Sequence, residues 1–392
     1  MCFYALANDQ LHMTTRGETV RLATRGSDLA LRQAATVQEA LGGRRRSVEL
    51  VEVETTGDQI RDELIHRLGK TGAFVRSLDE RVIAGDLDAA VHSMKDMPTE
   101  GADDLVVAGV PERASAGDVL VTPDGRGLDD LHENAVVGTS SLRRRAQLLA
   151  ERPDLQVEPL RGNVDTRLEK LLAPSLQAEH QARHEAEQER KGSVDDDEYE
   201  HPYDRTVEEW FDDLSELQRR AMERDAETEY DAIVLARAGL ERAGLGHHVE
   251  LTDLDPDRFV PAPGQGALAV TALDGELATT IKSSIDHPRT RVETTVERTI
   301  LEELGGGCVA PLGVYATLQG GVVHTSVRVL SRDGDEEIRS SRDLPAERHV
   351  EAAQDYAAEL AGQGAADLIA AAKRDSGGAD DDAATATEED DE

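Results

Sequence analysis

Residues Leu87–Pro98 read L-D-A-A-V-H-S-M-K-D-M-P, and the fold turns on them. Gly85-Asp86 closes an amphipathic helical pattern, and Leu87–Val91 follows as a short apolar run of strand type. The run stops at a polar cluster, and Pro98 prevents a helix from starting at once. Lys95 and Asp96 are therefore expected at the carboxyl end of a buried strand, the edge at which open α/β sheets bind ligands. A cation beside an acid on a rigid strand end can hold a carboxylate against a developing positive charge. Taken alone, the dipeptide is more commonly a surface ion pair in a turn.

Working outward, the strand–turn–helix theme repeats. Thr19–Thr24 reads as a strand, and Ser27 or Asp28 caps a helix that stops at Gly42-Gly43. A helix start after a strand is an anion site, and Arg25 adds a fork of donors there. A solvated arginine in an ordinary loop explains the same residues. Ser47–Thr55 alternates as a second strand. The polar, glycine-broken stretch Thr56–Thr71 then leads to a helix at Ala73–Ala84. That stretch reads either as a lid bringing Asp58, Arg67, Lys70 and Phe74 to a ligand or as a solvated loop.

Leu105–Val110 is another apolar run, Pro111 marks a crossover, and Asp118–Val121 opens a second domain. After a strand at Ala135–Val137, Thr139, Ser140 and Ser141 offer hydroxyls at a helix start whose first turn holds Arg143, Arg144 and Arg145. The helix dipole disfavours cations there, so three arginines cost stability unless an anion sits among them. Arg161-Gly162-Asn163-Val164-Asp165-Thr166-Arg167 repeats the pattern. A polycarboxylate or phosphate would answer both clusters; pairing with local acids is the plainer account.

Composition narrows the function. The 392 residues need two or three domains, and 80 acids against 43 bases give a net charge of −37, which repels nucleic acid and anionic membranes. Such a surface fits a protein from a salt-loving host, where screening weakens self-repulsion. Two cysteines, Cys2 and Cys308, exclude a disulfide framework and suit a reducing compartment. No apolar run reaches membrane-spanning length, and no secretory signal is legible, so a cytoplasmic protein is expected. Translation is expected to begin at Met13.

V-H-S-M-K-D, V-G-T-S-S-L-R-R, L-R-G-N-V-D-T-R, P-G-Q-G-A-L and the G-G-G-C turn, in this order and spacing, resemble the porphobilinogen deaminase (hydroxymethylbilane synthase) family. The resemblance covers about 21–172 and 230–371. It implies an α/β fold with two periplasmic-binding-protein-like domains, joined by hinge crossings, and a small α+β C-terminal domain. Residues 1–18 would be an extension, 19–113 with 259–283 domain 1, 114–258 domain 2, 287–373 domain 3, and 374–392 a disordered acidic tail. It implies an enzyme that condenses four porphobilinogen molecules head to tail into hydroxymethylbilane, releasing ammonia each time, for haem, sirohaem and corrin synthesis. A non-catalytic anion-binding protein of the same fold is the alternative.

Site roles follow from the same resemblance. Cys308 would carry a dipyrromethane cofactor through a thioether. Asp96 would contact pyrrole N–H groups and stabilise the azafulvenium cation formed as the aminomethyl nitrogen leaves, with Lys95 beside it in the catalytic site. Arg25, Arg143, Arg144, Arg161, Arg167 and Arg242 would bind the acetate and propionate arms of the cofactor and the growing oligopyrrole. Lys95, Ser27, Thr139, Ser140 and Ser141 would complete the lining. No metal and no macromolecular partner is implied, and a monomer is expected.

The chain departs from the family at 173–228, an acidic insertion read as solvated helix or disorder. A stripe of Trp210, Phe211, Leu214 and Leu217 is expected to dock part of it on domain 2. The lid also departs, since Thr71 stands where the family is often basic.

Overall fold

A computed structural model describes residues 18–43, 46–53, 73–99, 102, 104–192, 202–225, 228–307 and 310–378. Asp58, Arg67, Lys70, Cys308, the side chain of Phe74, the N-terminal extension to residue 17 and residues 379–392 lie outside that description.

In chain order the strands are β1 (Glu18–Arg25), β2 (Arg46–Val53), β3 (Ala89–Ser93), β4 (Leu105–Gly109), β5 (Asp118–Thr122), β6 (Val136–Gly138), β7 (Gln156–Glu158), β8 (Ala232–Ala236), β9 (Glu250–Asp253), β10 (Leu268–Leu273), β11 (Leu312–Gln319), β12 (Val322–Leu330) and β13 (Glu337–Pro345). The helices are α1 (Asp28–Leu41), α2 (Ala73–Ile83), α3 (Leu142–Glu151), α4 (Val164–Gly192), α5 (Val207–Asp212), α6 (Glu216–Met222), α7 (Arg237–Ala243), α8 (Glu276–Ile285), α9 (Pro288–Glu303), α10 (His349–Gly362) and α11 (Ala365–Gly378).

Two five-stranded sheets have one plan. The first runs β2-β1-β3-β10-β4 and the second β7-β6-β8-β5-β9. In the first, β1 is parallel to β2 and β3, and β10 runs antiparallel to β3 and β4. In the second, β6 is parallel to β7 and β8, while β5 runs antiparallel to β8 and β9. Each sheet therefore takes its antiparallel strand from a segment that has just crossed from the other. This is the binding-protein-like α/β arrangement with two hinge crossings, at 110–117 and 254–267.

Both faces of each sheet are covered, as parallel strands require. Leu22, Ala89, Val91 and Val270 pack against α1 and α8, while Ala23, Val53 and Ala90 face Leu78 and Val82 of α2. In β5, Val119 and Val121 face α4, α6 and α7, and Leu120 faces the opposite core with Leu148, following the two-residue alternation of a strand. The C-terminal portion packs α9, α10 and α11 around the antiparallel sheet β11-β12-β13. β11 and β12 form a hairpin around Gly320-Gly321. β13 had no reading in the sequence, because its alternation of polar and half-buried residues lacks an apolar face.

The stretch read as an insertion, 173–228, begins inside a helix. α4 runs unbroken through Pro174 to Gly192. Its α6 returns to pack Leu217 and Ala221 with Leu168, Leu171 and Tyr230. Trp210 is buried, but Phe211 is 39% exposed and leaves the expected stripe. α5 is only six residues long, so successive positions diverge around it before α6 begins. At the C-terminus, after a break at Gln363-Gly364, helix continues to Gly378, so the first residues of the tail expected from 374 are helical. Among the described residues no helix is long and apolar enough to cross a membrane.

Candidate active site

The Lys95-Asp96 pair lies one turn beyond the strand that was read for it. β3 ends at Ser93, and Met94–Asp96 forms a 3-10 turn. Three contacts fix that turn. The Met94 N–H donates to the Ala267 carbonyl (3.0 Å), tying it to the return crossing. Gly264, at φ +73°, lets that crossing approach; a Cβ there would stand 2.9 Å from Met94 Cγ and 3.3 Å from the Lys95 nitrogen. The Arg298 guanidinium of α9 donates to the carbonyls of Met94 (3.3 Å), Met97 (3.2 Å) and Pro98 (2.7 Å). Asp96 is exposed and Lys95 half-buried.

Parallel pairing of β1 and β3, with Leu22 opposite Ala89 and Ala23 opposite Ala90, brings Arg25–Ser27 out at the same sheet edge as Lys95. Ser27 caps α1, its Oγ accepting from the Ala30 N–H at 3.3 Å. In the second sheet the carboxyl ends of β6 and β7 carry the other two clusters. The buried Thr139 gives its N–H to Glu158 O (2.9 Å) and accepts from the Ser141 N–H at Oγ1 (3.2 Å). Ser140 Oγ donates to Leu160 O (2.7 Å), and Ser141 caps α3. Arg167 Nε donates to Gly162 O (2.8 Å), and Arg161 is half-buried beside it.

The three arginines at the start of α3 divide. Arg145 turns to the Val157 carbonyl (2.6 Å). Arg143 and Arg144 are buried and share one carboxylate, Asp118, at 2.7 and 2.8 Å. Their second Nη atoms donate to Val260 O (2.8 Å) and Val234 O (3.1 Å). Burial by itself would raise the Asp118 carboxyl, but the two guanidinium groups outweigh it and hold it well below the usual carboxylate range. Pairing with an acid, the plainer account of this cluster, is thus satisfied for two arginines by a single charge.

Cations also crowd one another here. Lys95 stands within electrostatic reach of Arg144 and Arg167 as well as of Asp96 and Asp118. Burial first, then Arg144 and Arg167 against the two acids, lowers its ammonium below the ordinary lysine value. Burial, with Arg144 beside it, pushes Arg167 down to about 10. Burial likewise lowers Arg143 and Arg242. Arg242 reaches the return crossing, donating to Gly266 O at 2.7 Å. The Nε atoms of Arg143 and Arg144 are buried without a hydrogen-bond partner among the described residues. Buried donors and depressed bases of this kind fit an acidic ligand with several carboxylates, as dipyrromethane is.

Four residues of this neighbourhood had no role in the sequence reading. Gln265 Nε2 donates to Asp118 Oδ1 (2.8 Å) and Ala116 O (2.5 Å). Arg113 spans the crossings, its Nε on Gln265 O (2.8 Å) and its Nη atoms on Glu297 (2.7 and 3.0 Å). Asp118 is the third and Glu297 the fourth. For Glu297 a signal existed: Glu293, Glu297 and Leu301 recur every four residues, which sets acids on the core-facing stripe of α9.

Comparison with known proteins agrees with the motifs. The family profile described as "Porphobilinogen deaminase, dipyromethane cofactor binding domain" matches residues 20–183 and 215–280, and "Porphobilinogen deaminase, C-terminal domain" matches 292–362. Of the stretch read as an insertion, 173–228, the match leaves only 184–214 outside it. A "Probable porphobilinogen deaminase" of Halobacterium salinarum is 52% identical, covering 92% of this chain and 99% of the relative. One from Methanosarcina acetivorans is 37% identical over 88% and 92%. The "Porphobilinogen deaminase" of an Exiguobacterium is 35% identical over 89% and 97%. Among solved structures, YhfZ from Shigella flexneri superposes at a TM-score of 0.29 with 14% identity, covering 68% of this chain and 90% of that one. The ligand-binding component of an ABC-type import system from Staphylococcus aureus gives 0.28 with 11% identity over 72% and 73%. The fold assignment rests on strand order and not on these superpositions. The chain belongs to the porphobilinogen deaminase (hydroxymethylbilane synthase) family, and its activity is that of the family, in tetrapyrrole biosynthesis with a dipyrromethane cofactor.

Proposed function

We propose that the space between the two carboxyl sheet edges is where porphobilinogen units are joined, with Asp96 as the catalytic acid–base group. The observation that supports this most directly is the gathering, among the described residues, of the buried and half-buried cations Lys95, Arg143, Arg144 and Arg167 near the exposed Asp96. Each added pyrrole brings two carboxylates, so the site must neutralise a charge that grows with every turnover. Arg143 and Arg144, with Ser27, Thr139, Ser140, Ser141 and Lys95, would hold the acidic arms of the cofactor. Arg25, Arg161, Arg167 and Arg242 would take those of the substrate and the growing chain. When bound, dipyrromethane supplies the primer to which pyrroles are added. Asp96 accepts hydrogen bonds from pyrrole N–H groups. As the C–N bond of the incoming porphobilinogen breaks and nitrogen departs as ammonia, the carboxylate offsets the positive charge left on that ring. Lys95, one residue away, adds a positive charge for the acidic arms beside Asp96.

In this reading Cys308 is the point of attachment, and Asp58, Arg67, Lys70 and Phe74 belong to a lid. Residues 19–113 with 259–283, 114–258, and 287–373 act as three domains hinged at the crossings. The protein acts as a monomer in the cytoplasm. Intact mass tests the assignment. Protein made where porphobilinogen is available should exceed its sequence mass by two linked pyrroles, and Cys308→Ala should not. An unmodified wild type made under those conditions would refute it.

A further inference from the structure

We propose that Asp118 is a resident counter-anion that aligns Arg143 and Arg144 for the carboxylates of the cofactor, and so acts as a positioning residue for cofactor loading. The inference rests on the reading that those two arginines hold the cofactor. Asp118 is the first residue of β5, fully buried, where the outward crossing enters the second sheet. Its Oδ2 accepts from Arg143 Nη2 (2.7 Å), and its Oδ1 from Arg144 Nη2 (2.8 Å) and Gln265 Nε2 (2.8 Å). Adjacent residues on a helix point about 100° apart, so two neighbouring arginines converge on one point only if something there attracts both. The helix dipole and the mutual repulsion of Arg143, Arg144 and Lys95 act the other way. With Nη2 on Asp118 and Nη1 on a main-chain carbonyl, each guanidinium is fixed in plane and its Nε keeps a donor without a partner. Because Asp118 stands where one crossing ends and Gln265 lies on the other, the aim of both arginines is also tied to the hinge.

The test compares Asp118→Asn with wild type, each made without porphobilinogen and then loaded with it. Loading is followed by intact mass, and thermal melting is recorded before and after. Asp118→Asn should load on the order of tenfold more slowly or worse, since truncating one partner of a buried charged contact has effects of that size. Its melting temperature should fall at least twice as far in the unloaded form as in the loaded form, because ligand carboxylates replace the missing charge. Equal falls in both forms, or loading at the wild-type rate, overturn the proposal. If Asp118→Asn folds only when made with porphobilinogen, that is the expected result at its limit; failure to fold in both conditions overturns it. Arg144→Gln separates the two levels. Slow loading there with normal loading of Asp118→Asn removes the role of Asp118 alone. Normal loading of Arg144→Gln removes the arginine reading, and this proposal with it.

Discussion

Glu297→Gln should destabilise this protein far more than an isosteric change suggests. The Glu297 side chain is fully buried, and its two oxygens accept four hydrogen bonds. Oε1 takes Arg113 Nη1 (2.7 Å) and the Ala316 N–H (2.9 Å); Oε2 takes Arg113 Nη2 (3.0 Å) and the Gly264 N–H (2.6 Å). Glutamine can accept two of these on its one oxygen. Its amide would confront the other two as donor against donor, leaving a guanidinium N–H and a backbone N–H unmatched. Two unmatched buried donors at ~1–3 kcal/mol each and a broken buried pair at about 3–5 kcal/mol overlap at about 3–5 kcal/mol. For folding units of this size the melting transition should fall by about 6–20 °C, at roughly 2–4 °C per kcal/mol. The contacts are shielded from water, so high KCl should not remove the loss. Calorimetry of wild type and variant at low and high KCl is the assay. A fall of less than about 2 °C, on the same scale, would show that the Arg113–Glu297 contact does not tie the crossings to α9.

Asp96→Asn should leave the melting curve unchanged, because Asp96 is exposed, and should nearly abolish product formation; substantial turnover would refute its role. Anion affinity should weaken on the alkaline side as pH nears 10, where Arg167 loses its charge, with the lowered Lys95 adding to the loss; the KM for porphobilinogen read against pH checks this. The same depressed arginine works oppositely on stability. The unfolded chain holds its proton at higher pH, so its penalty on the unloaded fold is relieved as pH rises past about 10. Asp118 has the contrary sign: its contribution is full above the unfolded value of about 4 and is lost only below it. Asp118→Asn should therefore flatten the acid limb of a melting-temperature profile. Trp210→Ala should cost about 3 kcal/mol by emptying a buried site, yet leave the KM for porphobilinogen unchanged; a raised KM would place the insertion in the site. Stability in low and high KCl tests whether the net charge of −37 is an adaptation to salt, and equal stability in both would count against it.

Local pattern was enough for much of this molecule. Short apolar or alternating runs bounded by turn residues marked β1 to β6, six of the ten strands in the two five-stranded sheets. Ser27 and Ser141 marked helix starts, because capping and two-residue alternation are decided within a few residues of chain. The arginines at 143–145 and 161–167 likewise pointed to a polyanion, since a cation at a helix start breaks a local rule visible in one turn, although Asp118 answers two of them. What no window of sequence could give is which charge answers which. Asp118 is 25 residues from Arg143, Glu297 is 184 from Arg113, and Arg298 is about 200 from the turn it clamps. Those partners meet only because the chain crosses twice between sheets and then lays α9 across the crossings. Their strength comes from the exclusion of water that this packing creates. Helix starts and strand ends are thus written in neighbouring residues, whereas the hinge and the aim of its arginines are properties of the assembled interior.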